Sequence, residues 1–320
     1  MVNGLSQQEN ATSMPLGNEQ QSEIAVYTTV YPGVEAFLKP WAESLAKQTA
    51  IDFDLWIALH GINQTQTECA LGQPIEATWL TIAEDASPAQ VRERAFRTMI
   101  PLYDAIVLVD CDDLLLPQRV QAAVSALETS DVYGCALRLA DADGLDLGTT
   151  LSISGDRRAE EALPVVNVFG LSNTAYRTDI LERCLPIPSG IVAVDWYLAT
   201  LAWLNDASFC FDRTPHMTYR RHGNNVCAIS APFSGASILR ATAQAIEHYE
   251  AVLDATSEMA SEKRDKLVER EKVVRGFQKR MEEDTSVLAK YVAKINQQSS
   301  SPAMWWWCVA RPELEELWRS

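Results

Sequence analysis

Three aspartates fall within four positions at the end of an apolar run, in AIVLVDCDDLLLP, residues 105–117. Carboxylates packed this closely repel one another, and each raises the others' pKa unless a cation sits among them. The stretch is therefore either a solvated acidic turn, a common use of aspartate, or a holder of a metal ion. Side chains alternate along an extended segment, so Asp110 and Asp112 are expected on one side, with Cys111 and Asp113 pointing elsewhere. Two carboxylates on one side can share one divalent ion, and oxygen ligands of this kind favour Mg2+ or Mn2+.

The elements around the aspartates can be read from periodicity. EIAVYTTVY is a β-branched and aromatic strand, and EAFLKPWAESLAKQT repeats Phe37, Trp41 and Leu45 at helical spacing. DFDLWIALHG is a second strand. SPAQVRERAFRTMIPL is a helix with Ser87 as N-cap and Pro88 at its first position. AIVLV is a third strand and PQRVQAAVSALETS a third helix. Strand and helix alternate, the pattern of an α/β fold with a mostly parallel sheet flanked by helices. Ligands of such sheets sit beyond the carboxyl ends of the strands, where Asp110 to Asp113 fall.

The second half changes character. DVYGCALRLADADGLDLGTTLSI reads as two strands around a polar turn, VVNVFGLSNTAYRTDILERC as a strand entering a helix, and VAVDWYLATLAWLNDA as a helix with an aspartate near its start. Long helices follow residue 231. There Leu267, Val274, Phe277, Met281, Leu288, Tyr291 and Ile295 fall near heptad spacing. The divisions expected are a disordered tail at 1–22, rich in Gln, Asn and Ser, a catalytic α/β domain at 23–230, a helical extension at 231–296 and a Trp-rich tail at 297–320.

Composition narrows the function. The chain has 320 residues, 47% of them hydrophobic, and 43 acidic against 27 basic residues, a formal charge of -16. Phosphate backbones need a basic stripe, so a nucleic-acid partner is excluded. No run is long and apolar enough for a transmembrane helix, and the first residues lack a basic segment followed by an apolar one, so a cytoplasmic location is expected. Seven cysteines without CxxC spacing signal neither a disulfide framework nor a zinc site.

A haloacid-dehalogenase-type phosphatase also follows an apolar strand with Asp-x-Asp. It would need a threonine where Leu114 stands and a downstream lysine, but no lysine lies between Lys47 and Lys263. VLVDCDDLLLPQRV instead resembles the Asp-x-Asp-Asp segment of family 2 glycosyltransferases. AVYTTVYPGVEAFLKPWAESLAKQT resembles that family's opening strand and helix, and VRERAF stands where the family has an Arg-Asn pair. GLSNTAYRTDIL, VDWYLATLAWL and YRRHGNN resemble, in the family's order, the donor-side strand and helix, the acidic start of the catalytic helix, and a His-containing loop over the diphosphate. The match spans roughly residues 23–227.

The resemblance implies a GT-A fold and a metal-dependent, inverting transfer of a sugar from a nucleotide-diphosphate sugar to an acceptor hydroxyl. A diphosphate cannot enter a site of aspartates without a cation. Asp112 and Asp110 are then the metal ligands, Asp110 also reaching the ribose, and His222 completes the shell or meets a phosphate. Asp195 is the general base; its bland alternative is a helix-start aspartate facing the macrodipole. Thr29 and Tyr31 are placed beside the nucleobase, and Arg94, with Arg92, Arg220 and Arg221, offers forks for phosphate. Asn173 is a donor- or acceptor-side contact, and Trp196 either a sugar-stacking face or core. The acceptor is a glycan, a lipid-linked molecule or a protein. Family members often read the base with an aspartate at the end of the second strand, where this chain has His60 and Gly61. A catalytically silent glycan- or nucleotide-binding protein is the alternative.

Other motifs carry less. DADGLD at 141–146 has its glycine in the fourth place, not the sixth that a calcium loop needs, and reads as a turn. The heptad-like stripe predicts a homodimer or a helical hairpin against the core. Three consecutive tryptophans in AMWWWCVARPELEELW must be covered by the core, a partner protein or a membrane interface, and the tail is expected to be an appendage remote from the active site.

Overall fold

The computed structural model describes residues 23–50, 52–153, 155, 158–223, 225, 231–298 and 304–319; the segment expected to be disordered at 1–22 lies outside them. Strand β1 (Ile24–Val30) buries Ala25, Val26, Tyr27 and Thr28 in an unbroken run, as a strand covered on both faces requires. Helix α1 (Glu35–Leu45) buries Leu38, Trp41, Ala42 and Leu45. Strand β2 (Asp54–His60), helix α2 (Gln64–Leu71) and strand β3 (Thr78–Ile82) follow. Helix α3 (Pro88–Met99) starts at a capping box in which Ser87 and Gln90 bond reciprocally. Strand β4 (Ala105–Leu108) completes a parallel half sheet ordered β3-β2-β1-β4.

Beyond β4 the sheet is mixed. The elements, in chain order, are the two-residue strand β5 (Leu114–Leu115), helix α4 (Arg119–Leu127), strands β6 (Val132–Ala140), β7 (Asp146–Leu151) and β8 (Thr174–Arg177), helices α5 (Thr178–Arg183) and α6 (Val194–Leu204), and strand β9 (Phe209–Arg220). The order continues β4-β8-β6-β9-β5, with β8 antiparallel to both neighbours and β9 parallel to β6. The turn between β6 and β7 is the DADGLD stretch, where Asp141 Oδ1 accepts from the backbone N–H groups of Asp143 and Leu145 at 3.0 and 2.9 Å. Helix α2 and strands β3 and β9 go beyond the elements read from the sequence.

Gly134 in β6 lies under the Phe169 ring, so close that a Cβ there would stand 2.7 and 2.8 Å from two ring carbons. Gly134→Ala is expected to destabilise by about 1–3 kcal/mol, the usual cost of overpacking. The check is the urea midpoint, which should fall at unchanged slope; an unmoved midpoint would mean that the ring yields freely.

Helices α7 (Gly235–Ala255), α8 (Glu262–Glu283) and α9 (Thr285–Gln298) follow. The heptad-like stripe is covered within the chain. Leu267, Val274, Phe277 and Met281 of α8, and Tyr291 and Ile295 of α9, are buried in a core continuous with that of the sheet. The hairpin of the two expectations is therefore the one observed, and the stripe is not left for a second copy.

The tryptophan-rich tail closes the same core. The Tyr291 hydroxyl donates to the Cys308 carbonyl at 2.9 Å, Arg270 donates to the carbonyls of Val309 and Ala310 at 3.0 and 3.2 Å, and Trp318 meets Phe277 edge-on at 5.3 Å. Trp306 stacks on Trp196 of α6 with ring centroids 5.0 Å apart and planes 25° from parallel. Its φ of 61° is the left-handed region, which costs a side-chain-bearing residue roughly 1–2 kcal/mol and persists here because the indole is buried. No helix among the described residues is long and apolar enough to cross a membrane.

Candidate active site

The chain turns sharply after β4, and Arg119 supports the turn from below. Its guanidinium is fully buried and donates to the carbonyls of Leu108 and Thr174 at 3.3 and 2.9 Å, tying β4 to β8 just before Asp110. The backbone N–H of Asp110 donates to Ser172 Oγ at 3.3 Å, and that of Asp113 to the Asp110 carbonyl at 3.2 Å. In this tight turn strict alternation breaks down. One carboxylate oxygen each from Asp110, Asp112 and Asp113 lies within 4.8 Å of the others, so Asp113 joins the pair expected from the sequence.

The carboxyls of the cluster are crowded and desolvated. Burial, then the Asp112 charge, pushes the Asp110 carboxyl up to about 7 against the pull of Arg92. Burial, then Asp112 and Asp110, holds Asp113 well above the usual carboxylate range. Asp113 Oδ1 accepts from the Arg220 N–H at 2.8 Å, while its buried Oδ2 has no hydrogen-bond partner among the described residues. Crowded, partly unsatisfied carboxyl oxygens fit a hard divalent ion.

A loop after β9 covers the cluster. His222 Nε2 lies 3.0 Å from Asp112 Oδ2, and its ring lies 4.8 Å from that of Phe37. Asn225 Oδ1 accepts from the His222 backbone N–H at 2.7 Å, fixing the turn that presents the imidazole. Arg220, named as a phosphate fork, has another task. It is buried, its Nε donates to the Asp112 carbonyl and its Nη2 to the Phe37 carbonyl at 3.2 Å. It braces the backbone of the aspartate turn.

Asp195 comes from the other side. Every other residue of α6 is buried, which leaves Asp195 as the helix's one outlet. Its Oδ1 accepts from the Trp196 N–H at 2.8 Å. Burial raises its pKa to about 6, opposed by that N–H, by Arg92 and by the Asn167 side chain.

Asp110, Asp112 and Asp195 share one cavity of about 770 Å³, in the range of small-ligand sites. Thr29, Tyr31, Asp110, Asp112 and Asp195 all line it, with His60, Pro88 and Arg92 at the β1–β2 side. Of the expected residues, His222, Arg220, Arg221, Arg94, Trp196 and Asn173 fall outside its lining, His222 meeting it through Asp112. Arg94 is exposed outside the cavity lining, and Arg92, two positions earlier and so on nearly the opposite side of α3, takes its place. Trp196 is core: it is fully buried between ring neighbours, and its Nε1–H donates to the Leu163 carbonyl at 2.8 Å. Asn173 is also buried, donating from Nδ2 to the carbonyls of Cys135 and Val168 at 2.6 and 3.2 Å, and it holds β8 to β6. Conversely, Trp305 and Trp306 line the cavity. The tail is not remote from the site, and no periodic signal in the sequence joins residue 305 to residue 110.

No family model and no curated protein sequence matches the chain. Solved structures resemble it in fold. Residues 1–349 of S. aureus TarS in complex with UDP are 16% identical over 78% of this chain and 70% of that one, with a TM-score of 0.55; the same region in complex with UDP-GlcNAc is 13% identical over 78% and 79%, at 0.50. The mannosyltransferase PcManGT from Pyrobaculum calidifontis, in complex with GDP-Man and Mn2+, is 14% identical over 86% and 80%, at 0.50. At such identities the likeness is one of fold. The chain has a glycosyltransferase fold, an α/β sheet flanked by helices.

Proposed function

We propose that the chain is an inverting, metal-dependent glycosyltransferase of the family 2 kind, moving a sugar from a nucleotide-diphosphate sugar to an acceptor hydroxyl. One observation carries the reading: Asp110 and Asp112, of the three-aspartate cluster, share a cavity with a separate, partly ionisable carboxylate, Asp195, in a glycosyltransferase fold. The nucleotide lies at the Thr29, Tyr31 and His60 side, with Arg92 pairing a phosphate. Asp112, Asp110 and His222 are the residues that would hold Mn2+ or Mg2+. When bound, the ion offsets the diphosphate's charge and stabilises the negative charge that develops on the leaving group.

Asp195 serves the acceptor. Its carboxylate takes the hydroxyl proton as the acceptor oxygen bonds to the anomeric carbon and the bond from that carbon to the diphosphate oxygen breaks. One displacement inverts the anomeric centre. Arg92 favours the ionised form of Asp195, and burial opposes it, which leaves a base of useful strength near neutrality.

Affinity for UDP or GDP, measured by calorimetry, is expected to rise at least about tenfold, or ~1.4 kcal/mol, on replacing EDTA with Mn2+. Asp112→Asn should erase most of that gain. Equal affinity in EDTA would remove the metal from the reading, and nucleotide binding without turnover of any nucleotide sugar would favour the silent alternative.

A further inference from the structure

We propose that the acceptor is an uncharged alcohol carrying an apolar alkyl or aryl group beside its reactive hydroxyl, lodged against Leu171, Ile191, Val192 and Trp305. This rests on the glycosyltransferase reading and names the class of its second substrate.

The sheet order separates the two ends of the cavity. His60 ends β2 and Tyr31 follows β1, on one side of β4, whereas Leu171, just before β8, and Tyr219 of β9 lie on the other, with the aspartates between them. Trp305 belongs to the second group. Its ring lies edge-on to Tyr219 at 5.7 Å, and its tip rests so closely over Gly170 that a Cβ there would come within 2.8 Å of it. The backbone N–H of Asn167 donates to the Trp305 carbonyl at 3.2 Å, and the Asn167 side chain favours the Asp195 carboxylate. The proton acceptor and the tail therefore meet on this side.

The chemistry of the two ends differs. The nucleotide end offers Thr29, His60, Ser87 and Arg92. On the Asp195 side the lining brings the apolar Leu171, Ile191, Val192, Val194, Trp305 and Trp306 together, with Ser172, Ser189, Tyr219 and Asn225 as its polar members. Val192 is 46% exposed there, and with Tyr31 it is one of five large apolar side chains so exposed among the described residues, two of which open on this cavity. Hydroxyls pressed on such a wall would lose water without gaining partners, whereas alkyl or aryl carbon gains from leaving water. The wall is continuous with the carboxylate that receives the proton, so the molecule it meets is the one that brings the hydroxyl.

Charge narrows the class further. A second groove shares Gly190 and Ile191 with this wall and is lined by Glu247, Glu250, Asp254 and Glu271, of which Glu250 and Glu271 share Arg275. The surplus negative charge disfavours an anionic acceptor head.

The experiment titrates methyl, butyl and hexyl β-glucosides, below their micellar range, into the full chain with UDP and Mn2+. Hexyl β-glucuronide is the anionic control. Binding is expected to tighten about two- to fourfold per added methylene, and the glucuronide to bind more weakly than the hexyl glucoside. Val192→Asn should flatten the series and Val192→Leu should keep it; position 192 is exposed, so both variants should fold. A flat series, or no binding of any glucoside, overturns the proposal, as does a slope unchanged in Val192→Asn. UDP affinity and nucleotide-sugar turnover are read on the same samples. A steep series without them removes the transferase reading and keeps the apolar site; a flat series with them removes only the present inference.

Discussion

Asp195→Asn is expected to lower glycosyl transfer by about a hundredfold to ten-thousandfold, the range of a lost general base, with nucleotide affinity nearly unchanged. The carboxylate acts on the acceptor in the transition state and not on the bound donor. The pH profile of the unsubstituted chain should show an acid limb at or below about pH 6, because the base must be ionised, burial sets its pKa near 6, and a divalent ion beside Asp110 would lower it. Stability runs the other way. A carboxyl whose folded pKa is raised stabilises the fold while protonated, and that contribution is lost as pH rises through about 6. At pH 7 the asparagine variant, which can still accept from the Trp196 N–H, should therefore melt no lower than the parent. A lower melting temperature together with weakened nucleotide binding would make Asp195 a structural residue.

Deleting residues 304–319 is expected to do more damage to the fold than any single substitution. Trp305, Trp306, Val309, Leu314 and Trp318 are all buried, and each large side chain returned to water costs about 1.5–3 kcal/mol. Their sum is comparable to the whole stability of a domain, about 5–15 kcal/mol. The truncated chain should melt far lower or fail to fold, with α8 and α9 exposed to protease, and should lose nucleotide-sugar turnover with the cavity wall. A truncated chain that melts within a few degrees of the parent and keeps its turnover would make the tail the appendage that its sequence suggested.

The first half of the fold was legible because its signals are local. Ser87, Pro88 and Gln90 announce α3 within four residues, and β1 and β4 are apolar runs bounded by turn residues. Asp110 and Asp112 could be read as a pair for the same reason: they end a strand, and their repulsion demands an explanation. Asp113 escaped because alternation was assumed to continue where the chain turns. Among the arginines read as phosphate forks Arg94 stands first, but Arg92 is the one that meets the cavity; Val91, Ala95 and Met99 fix the buried face of α3 without saying which flank does so. Trp196 invited a sugar-binding role by its place beside Asp195, but every residue of α6 except Asp195 is buried, and a helix so nearly enclosed carries little directional pattern. The tail was least legible. Its tryptophans reach the site by tertiary contact from nearly 200 positions beyond the aspartates, which no periodicity encodes.

The stack of Trp306 on Trp196 makes the seating of the tail an optical event. Two indoles with centroids 5.0 Å apart couple their excited states, so their ultraviolet circular dichroism should carry a pair of bands of opposite sign that neither ring produces alone. His248 also stacks on Trp196, 3.9 Å away, and burial lowers its pKa to about 3, so no imidazolium forms there to quench the emission over the ordinary pH range. The chain thus carries in its own chromophores a signal for whether residues 304–319 are docked, readable during refolding or nucleotide titration without any label.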